Sequence, residues 1–261
     1  RDRDYTFRAP PSAAQSLAWA GINIADLANN HVLDFGSQGL LDTLAALAQV
    51  GVVPVGAGAD DQRAHTPVIT EVNGLKIAWL AYVNVPDDSV TGFVARGLEA
   101  GPGRPGVAWG TAEVIRRDVA AARGLADLVI VALHAGFEYT SQPNSVQTDL
   151  AHAAIDAGAA LVLGAHPHVL QGIEYYKGGL IAYSLGNFVF DLDQADRAHY
   201  GLPSVLTVIL RVVLDARGVT GIELYPAIIN STDFRPEPVV GDAAKPVYER
   251  IYSLTNALAR R

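Results

Sequence analysis

The sequence contains neither cysteine nor methionine among its 261 residues. Without thiols there is no disulfide framework, no thiolate metal site and no cysteine nucleophile, and the compartment is left open. Charge is scarce: only 18% of residues are Asp, Glu, Lys or Arg, whereas 50% are hydrophobic, and the mean hydropathy is +0.20. That balance excludes a disordered chain, because disorder needs low hydrophobicity and high charge. Long apolar runs are missing too. The stretches 125–133 and 205–214 are interrupted by Asp127 and Arg211 and fall short of the roughly 20 residues of a membrane span, so no span is expected in this chain. Basic clusters are absent. A net charge of -8 and a pI near 5.3 remove the electrostatic footprint of a nucleic-acid binder, and an anionic partner needs a local cation. The opening Arg1-Asp2-Arg3-Asp4 offers no initiator and no apolar signal region. The natural start is therefore expected upstream, and the chain is read as a fragment.

What is present is an alternation of helical and strand signals. Pro10 and Pro11 precede a helical stretch with Ser12 as a candidate N-cap and Gly21 as its stop. A strand at 22–27 runs into Asn29-Asn30-His31, and helical spacing resumes over 36–50 through Leu40, Leu41, Leu44 and Leu47. Strands are expected at 52–55, 68–72 and 75–83, the last two joined by the hairpin signal Asn73-Gly74. The Gly/Pro-rich 86–110 reads as a long surface excursion. Helix 111–122, strand 128–133, helix 145–157 and strand 160–163 continue the βαβα pattern. Beyond His168 the pattern changes to hairpins, 170–175 with 180–183 around Lys177-Gly178-Gly179, and 204–214 with 219–225. A proline-rich spacer at 234–239 then precedes a C-terminal helix at about 246–260. The expectation is an α/β fold with a largely parallel first half, an antiparallel second half and two sheets under flanking helices. No linker interrupts the middle, so a single domain over 1–261 is expected.

Seven histidines occur, and four stand where a strand ends in a loop: His31, His134, His166 and His168. In α/β folds that edge is where ligands bind, and three strands delivering imidazoles to it suit a metal. In His166-Pro167-His168 proline biases the preceding residue to extended backbone, which puts both rings on one face. Two loop histidines satisfied by backbone groups fit the same three residues. At Asn29–Gly36 an amide oxygen can ligate a borderline metal while His31 faces a substrate, with Asp34 orienting His31 and keeping it protonated. Ordinary turn and capping roles for Asn30 and Asp34 remain open. Glu138, four residues after His134, reads as a base, an orienter or a solvated carboxylate.

Two rival motifs fail. Ser184 follows a strand as a hydrolase nucleophile does, but Ala182 replaces the first glycine of G-x-S-x-G and no helix is expected to follow. Gly56-Ala57-Gly58 has Asp61 where the dinucleotide fingerprint needs its last glycine. His65, His152 and His199 are assigned to structure or surface.

Read in order, NNHVLDFG, LHAGFEY, GAHPHVLQGIE and IAYSLGNFVFD resemble the successive motifs of the CapA capsule-synthesis family, which is associated with poly-γ-glutamate capsules and similar to calcineurin-like metallophosphoesterases. The resemblance covers nearly the whole chain. It implies a two-layer β-sandwich between helices, a four-layer α/β-β/α arrangement truncated at its N-terminus. It also implies two divalent metals, Mn, Fe or Zn, about 3.5–4 Å apart. By motif, Asn30, His134 and His166 match ligands of one metal, His168 matches a ligand of the other, and His31 matches the imidazole that protonates the leaving group. Asn187 in the last motif is the expected substrate contact. Two departures stand out: Ala165 where the family's G-H-x-H has glycine, and an acid three residues after His31. The G-D and N-L-E segments that bring acidic ligands do not occur upstream of Asn30. The function so implied is capsular or cell-surface poly-γ-glutamate biosynthesis, through metal-activated water acting on a phosphoester or amide-linked polymer. The alternative is a non-catalytic assembly or polymer-binding subunit of a synthesis and export complex. Partners would be the anionic polymer or phosphoester and capsule synthase subunits, and the location extracytoplasmic, anchored by an N-terminal segment absent here.

Overall fold

The computed structural model describes residues 5–192 and 194–260 and divides into two compact units, 1–134 and 135–261. In the first, α1 (Ser12–Trp19) is followed by β1 (Ile24–Asp26), α2 (Gly36–Gln49), β2 (Val53–Val55), β3 (Ala57–Gly58), α3 (Asp61–His65), β4 (Val68–Val72) and β5 (Leu75–Asn84). Then come β6 (Gly106–Val107), α4 (Ala112–Ala122) and β7 (Leu128–Ala135), whose last residue opens the second unit. The β4–β5 hairpin extends through β5 to β7, β1 pairs in parallel with β2, and β3 pairs antiparallel with β6.

Local chemistry explains these elements. Asn73 and Gly74 both take left-handed backbone, φ 51° and 82°, as a tight hairpin turn requires. β5 is apolar and buried almost without interruption from Ile77 to Val83, the mark of a strand covered on both faces. α4 buries Ile115, Val119 and Ala122 at helical spacing, and the Thr111 hydroxyl caps it by accepting from the Val114 N–H. At α1 the cap position falls on Pro11 and no side chain caps it, so Ser12 begins the helix rather than capping it. The 86–110 stretch departs from expectation. Ala95, Leu98, Ala100, Val107, Ala108 and Trp109 are buried, and most of them join the core of this unit with Leu40, Val55 and Val83. Its glycines serve close packing instead of exposure: a Cβ on Gly106 would meet the Leu98 carbonyl oxygen at 2.5 Å.

The second unit comprises α5 (Ser145–Asp156), β8 (Leu161–Ala165), β9 (Ile173–Tyr176), β10 (Gly179–Ala182), α6 (Gln194–Tyr200), β11 (Leu206–Asp215), β12 (Gly218–Ile229), β13 (Pro236–Pro238) and α7 (Lys245–Leu258). β10 lies parallel to β8 and antiparallel to β9, and β11, β12 and β13 form an antiparallel sheet. α5 opens with a reciprocal capping box between Asn144 and Gln147. α7 packs on β9 and β11, burying Val247, Ile251 and Leu254. Lys177 and Gly178, φ 45° and 87°, turn the β9–β10 hairpin. The proline-rich spacer holds β13, placed at a sheet edge where missing N–H groups cost no ladder bond. α6 had no sequence signal. The result is a mixed α/β fold of sheets flanked by helices, and no helix among the described residues is long and apolar enough to cross a membrane.

Gly164, in β8 two residues before His166, abuts the carbonyl of Tyr183, so that any Cβ would collide with that oxygen. Backbone cannot move aside as a side-chain tip can. Gly164→Ala is expected to cost about 3 kcal/mol or more, read as a lowered denaturant midpoint with the m-value kept.

Candidate functional site

In the first unit the loop after β1 is built by local hydrogen bonds. The Leu27 N–H reaches the Val55 carbonyl across to β2, Ala28 is wholly buried, and the Asn29 side chain accepts from the His31 N–H at 2.9 Å, an Asx turn that swings the chain out of the strand. The turn presents two couples. His31 Nδ1 lies 2.9 Å from Asp34 Oδ2, a carboxylate whose side chain is only 2% exposed. The acid three residues after His31 is therefore bonded to the ring. Asn30 Oδ1 lies 2.8 Å from His134 Nε2 at the end of β7, so two expected ligands bring their donor atoms together across 104 residues of sequence.

In the second unit, His166 and His168 leave β8 with left-handed backbone, φ 98° and 58°. This corrects the extended reading of His166-Pro167-His168: the steric bias imposed by Pro167 is overridden by the loop. Their ring centroids are nonetheless 6.3 Å apart. Non-glycine residues in that region store strain and gather at functional sites. His168 Nδ1 meets Asn187 Oδ1 at 2.7 Å, and the Asn187 amide donates to the carbonyls of His168 and Ser204, both at 3.1 Å. Asn187 is buried, and its side-chain amide is engaged by His168 and Ser204. Tyr139 stacks on His168 at 5.7 Å and on Tyr200 of α6 at 3.8 Å. Burial pushes its phenol up, with Tyr200 and Glu138 adding to the shift. Glu138 itself is exposed in a turn.

Three residues of this region were not legible as site residues. Phe7 donates its N–H to Asp34, a contact across 27 residues with no sequence signal. Tyr139 lay within a quoted motif, but its stacking partner sits on the unexpected α6. Asp26 was visible only as an acid before Asn30. Burial desolvates its carboxyl and raises it to about 7, partly offset by a hydrogen bond from the Ala28 N–H.

The remaining histidines of the sheets and helices have structural partners. His65 Nδ1 meets Asp118 at 2.8 Å, and Asp118 also accepts from Tyr82. The Asp118 partner of His65 lies 53 residues away in the sequence. His152 is bonded to Glu174 and stacked on Tyr176. Ser184 is buried and accepts from the Gly186 N–H, which agrees with the failed nucleophile motif.

Amide oxygen and imidazole nitrogen suit a borderline divalent metal. Asn30 and His134 offer such donors in the first unit, and His166 and His168 in the second. Among the described residues no group of three or more His, Asp or Glu is placed to hold a metal ion. The donors fit in kind, two to a unit.

Two of these contacts can be checked by stability measurements. Asp26 binds its proton more tightly in the native than in the unfolded chain, so stability falls as pH rises from about 4 to about 7. The residue as a whole is exposed although its carboxyl is desolvated, and discounted for that exposure the penalty is about 1 kcal/mol. Asp26→Asn should raise the melting temperature by roughly 2–4 °C above pH 7 and leave it unchanged near pH 3. Asn187→Ala, which strands His168 and two carbonyls, should cost about 2–3 kcal/mol in chemical denaturation.

Residues 1–192 match the family model described as "Bacterial capsule synthesis protein PGA_cap". The chain is 38% identical over 194 residues to the capsule biosynthesis protein CapA of Bacillus anthracis, covering 73% of this chain and 45% of that protein. It is 36% identical over 219 residues to a probable polyglutamine synthesis accessory protein of Mycobacterium tuberculosis, covering 80% and 56%. The chain thus spans about half the length of the curated relatives it matches. Among solved structures, a hypothetical protein of Thermus thermophilus superposes with TM-score 0.54 at 19% identity, covering 81% of this chain and 79% of that one. A putative 5'-nucleotidase of Staphylococcus aureus superposes with TM-score 0.50 at 14% identity, covering 94% and 47%. The likeness to these two structures is one of fold. By the match over 1–192 and the identity to these relatives, the chain belongs to the bacterial capsule synthesis protein PGA_cap family.

Proposed function

We propose that this chain is the hydrolase-type portion of a protein of capsular poly-γ-glutamate biosynthesis, acting at the cell surface on a phosphoester or on the amide-linked polymer. The observation that carries the reading is the pair of couples on one loop, His31 with Asp34 at 2.9 Å and Asn30 with His134 at 2.8 Å. They put an oriented imidazole one residue from a candidate metal ligand.

By motif, Asn30, His134 and His166 would hold one divalent ion and His168 a second, Mn, Fe or Zn, and such ions polarise a scissile bond and activate water. His31 supplies the proton to the leaving group. With Nδ1 directed at Asp34, its Nε2 is the nitrogen that carries this proton, and the buried carboxylate offsets the positive charge of the imidazolium. Asn187 and Tyr139 fix the ring of His168. The acidic chain repels an anionic polymer at long range, so attraction has to be local. Capsule synthase subunits are the proposed protein partners.

A second reading, a polymer-binding or assembly subunit without turnover, is favoured by one observation: three acidic or imidazole ligands do not gather among the described residues.

Elemental analysis of the chain purified without chelator, together with hydrolysis of bis(p-nitrophenyl) phosphate, tests the first reading against the second. His134→Ala and His166→Ala should lose bound metal. His31→Ala should retain metal and lower turnover about 100-fold or more. Absence of both metal and turnover, with polymer still bound, establishes the second reading.

A further inference from the structure

The segment before α1 does more than lead into the helix. The Phe7 N–H donates to Asp34 Oδ2 at 2.8 Å, the same oxygen that meets His31 Nδ1, and the Phe7 ring stands edge-on to the His31 ring, centroids 4.6 Å apart at 78°. Phe7 thus touches both members of the couple, by its backbone and by its side chain. The neighbouring Arg8 lays its guanidinium over Phe35, 5.2 Å from the ring centroid, and so clasps the turn from its far end. Pro10 and Pro11 restrict the backbone that follows. Phe7 is 45% exposed, so core burial does not account for an aromatic here. The segment and α2 wall a cavity of about 620 Å³ that reaches His31 and Asp34.

We infer that Phe7 is a positioning residue: it holds His31 in one rotamer by closing the Asp34–His31 couple from the side opposite the loop. An imidazole fixed through one ring nitrogen can still swing about that bond. An edge-to-face contact with an aromatic ring removes the swing, and such pairs favour T-shaped geometry over random contact. In the proposed hydrolase the ring must meet the leaving group at a fixed place, and small misplacements of a catalytic group lower rates steeply. The inference rests on the reading of His31 as proton donor, but its structural content, an immobilised ring, can be measured without turnover.

The experiment compares the chain with Phe7→Ala, which removes the ring and keeps the N–H, and with Phe7→Tyr, which keeps both. Carbon-13 relaxation of the His31 ring should show a rigid imidazole in the parent and in Phe7→Tyr, and a mobile one in Phe7→Ala. With bis(p-nitrophenyl) phosphate and Mn²⁺, Phe7→Ala should lower kcat about 10-fold and leave KM within about twofold. Phe7→Tyr should restore it, and in a His31→Ala background Phe7→Ala should add no further loss. Far-UV circular dichroism checks that each variant is folded. A His31 ring equally rigid in Phe7→Ala overturns the inference, as does an equal loss of turnover in the His31→Ala background. Absence of turnover in the parent overturns the hydrolase reading instead, and the relaxation data still decide for or against Phe7.

Discussion

An imidazole at the end of a strand is free to turn about two side-chain bonds, and the chemistry of these loops depends on stopping that rotation. The structure does so with oxygen atoms from other residues. Asp34 holds His31, Asn30 holds His134, and Asn187 holds His168. Each contact also distinguishes the two ring nitrogens, since the one engaged by the oxygen fixes the direction in which the other points.

The strands make this possible by ending where backbones pass close together. Gly164 abuts Tyr183 and Gly56 abuts Ala28 and Ala81, so the loops that follow them start from fixed points. The strain at His166 and His168 is sustained in the same manner. Their left-handed backbone is unfavourable in isolation, and it persists because Asn187 bonds both the ring and the carbonyl of His168, while the Pro167 carbonyl accepts from the Tyr139 N–H. Packing in both units thus converts ordinary apolar strands into rigid mounts for polar residues.

Much of this was legible in advance wherever the signal was local. Asn73-Gly74 set its hairpin because left-handed backbone at both positions follows from the residue types. The periodicity of α2, α4, α5 and α7 was sufficient to place them within a few residues. The four motif histidines were found because strand ends are visible as apolar runs that stop. Failures arose where one residue type serves two purposes. Glycine and proline in 86–110 read as exposed loop, although Gly106 allows close backbone contact and the segment is largely buried. Pro167 biased its neighbour toward extended backbone, yet the surrounding hydrogen bonds overrode that preference.

By itself the sequence determined the order of most elements, the placement of the motif histidines at or just beyond strand ends and the exclusion of thiol chemistry, because each follows from residue type and near-neighbour spacing. Only the tertiary structure decided which oxygens His134 and His168 meet, that Asn187 turns inward to His168, and that Phe7 reaches Asp34 from 27 residues away. Those pairings join residues from different elements. Their geometry depends on how the strands and loops pack, and no local preference of the chain encodes it.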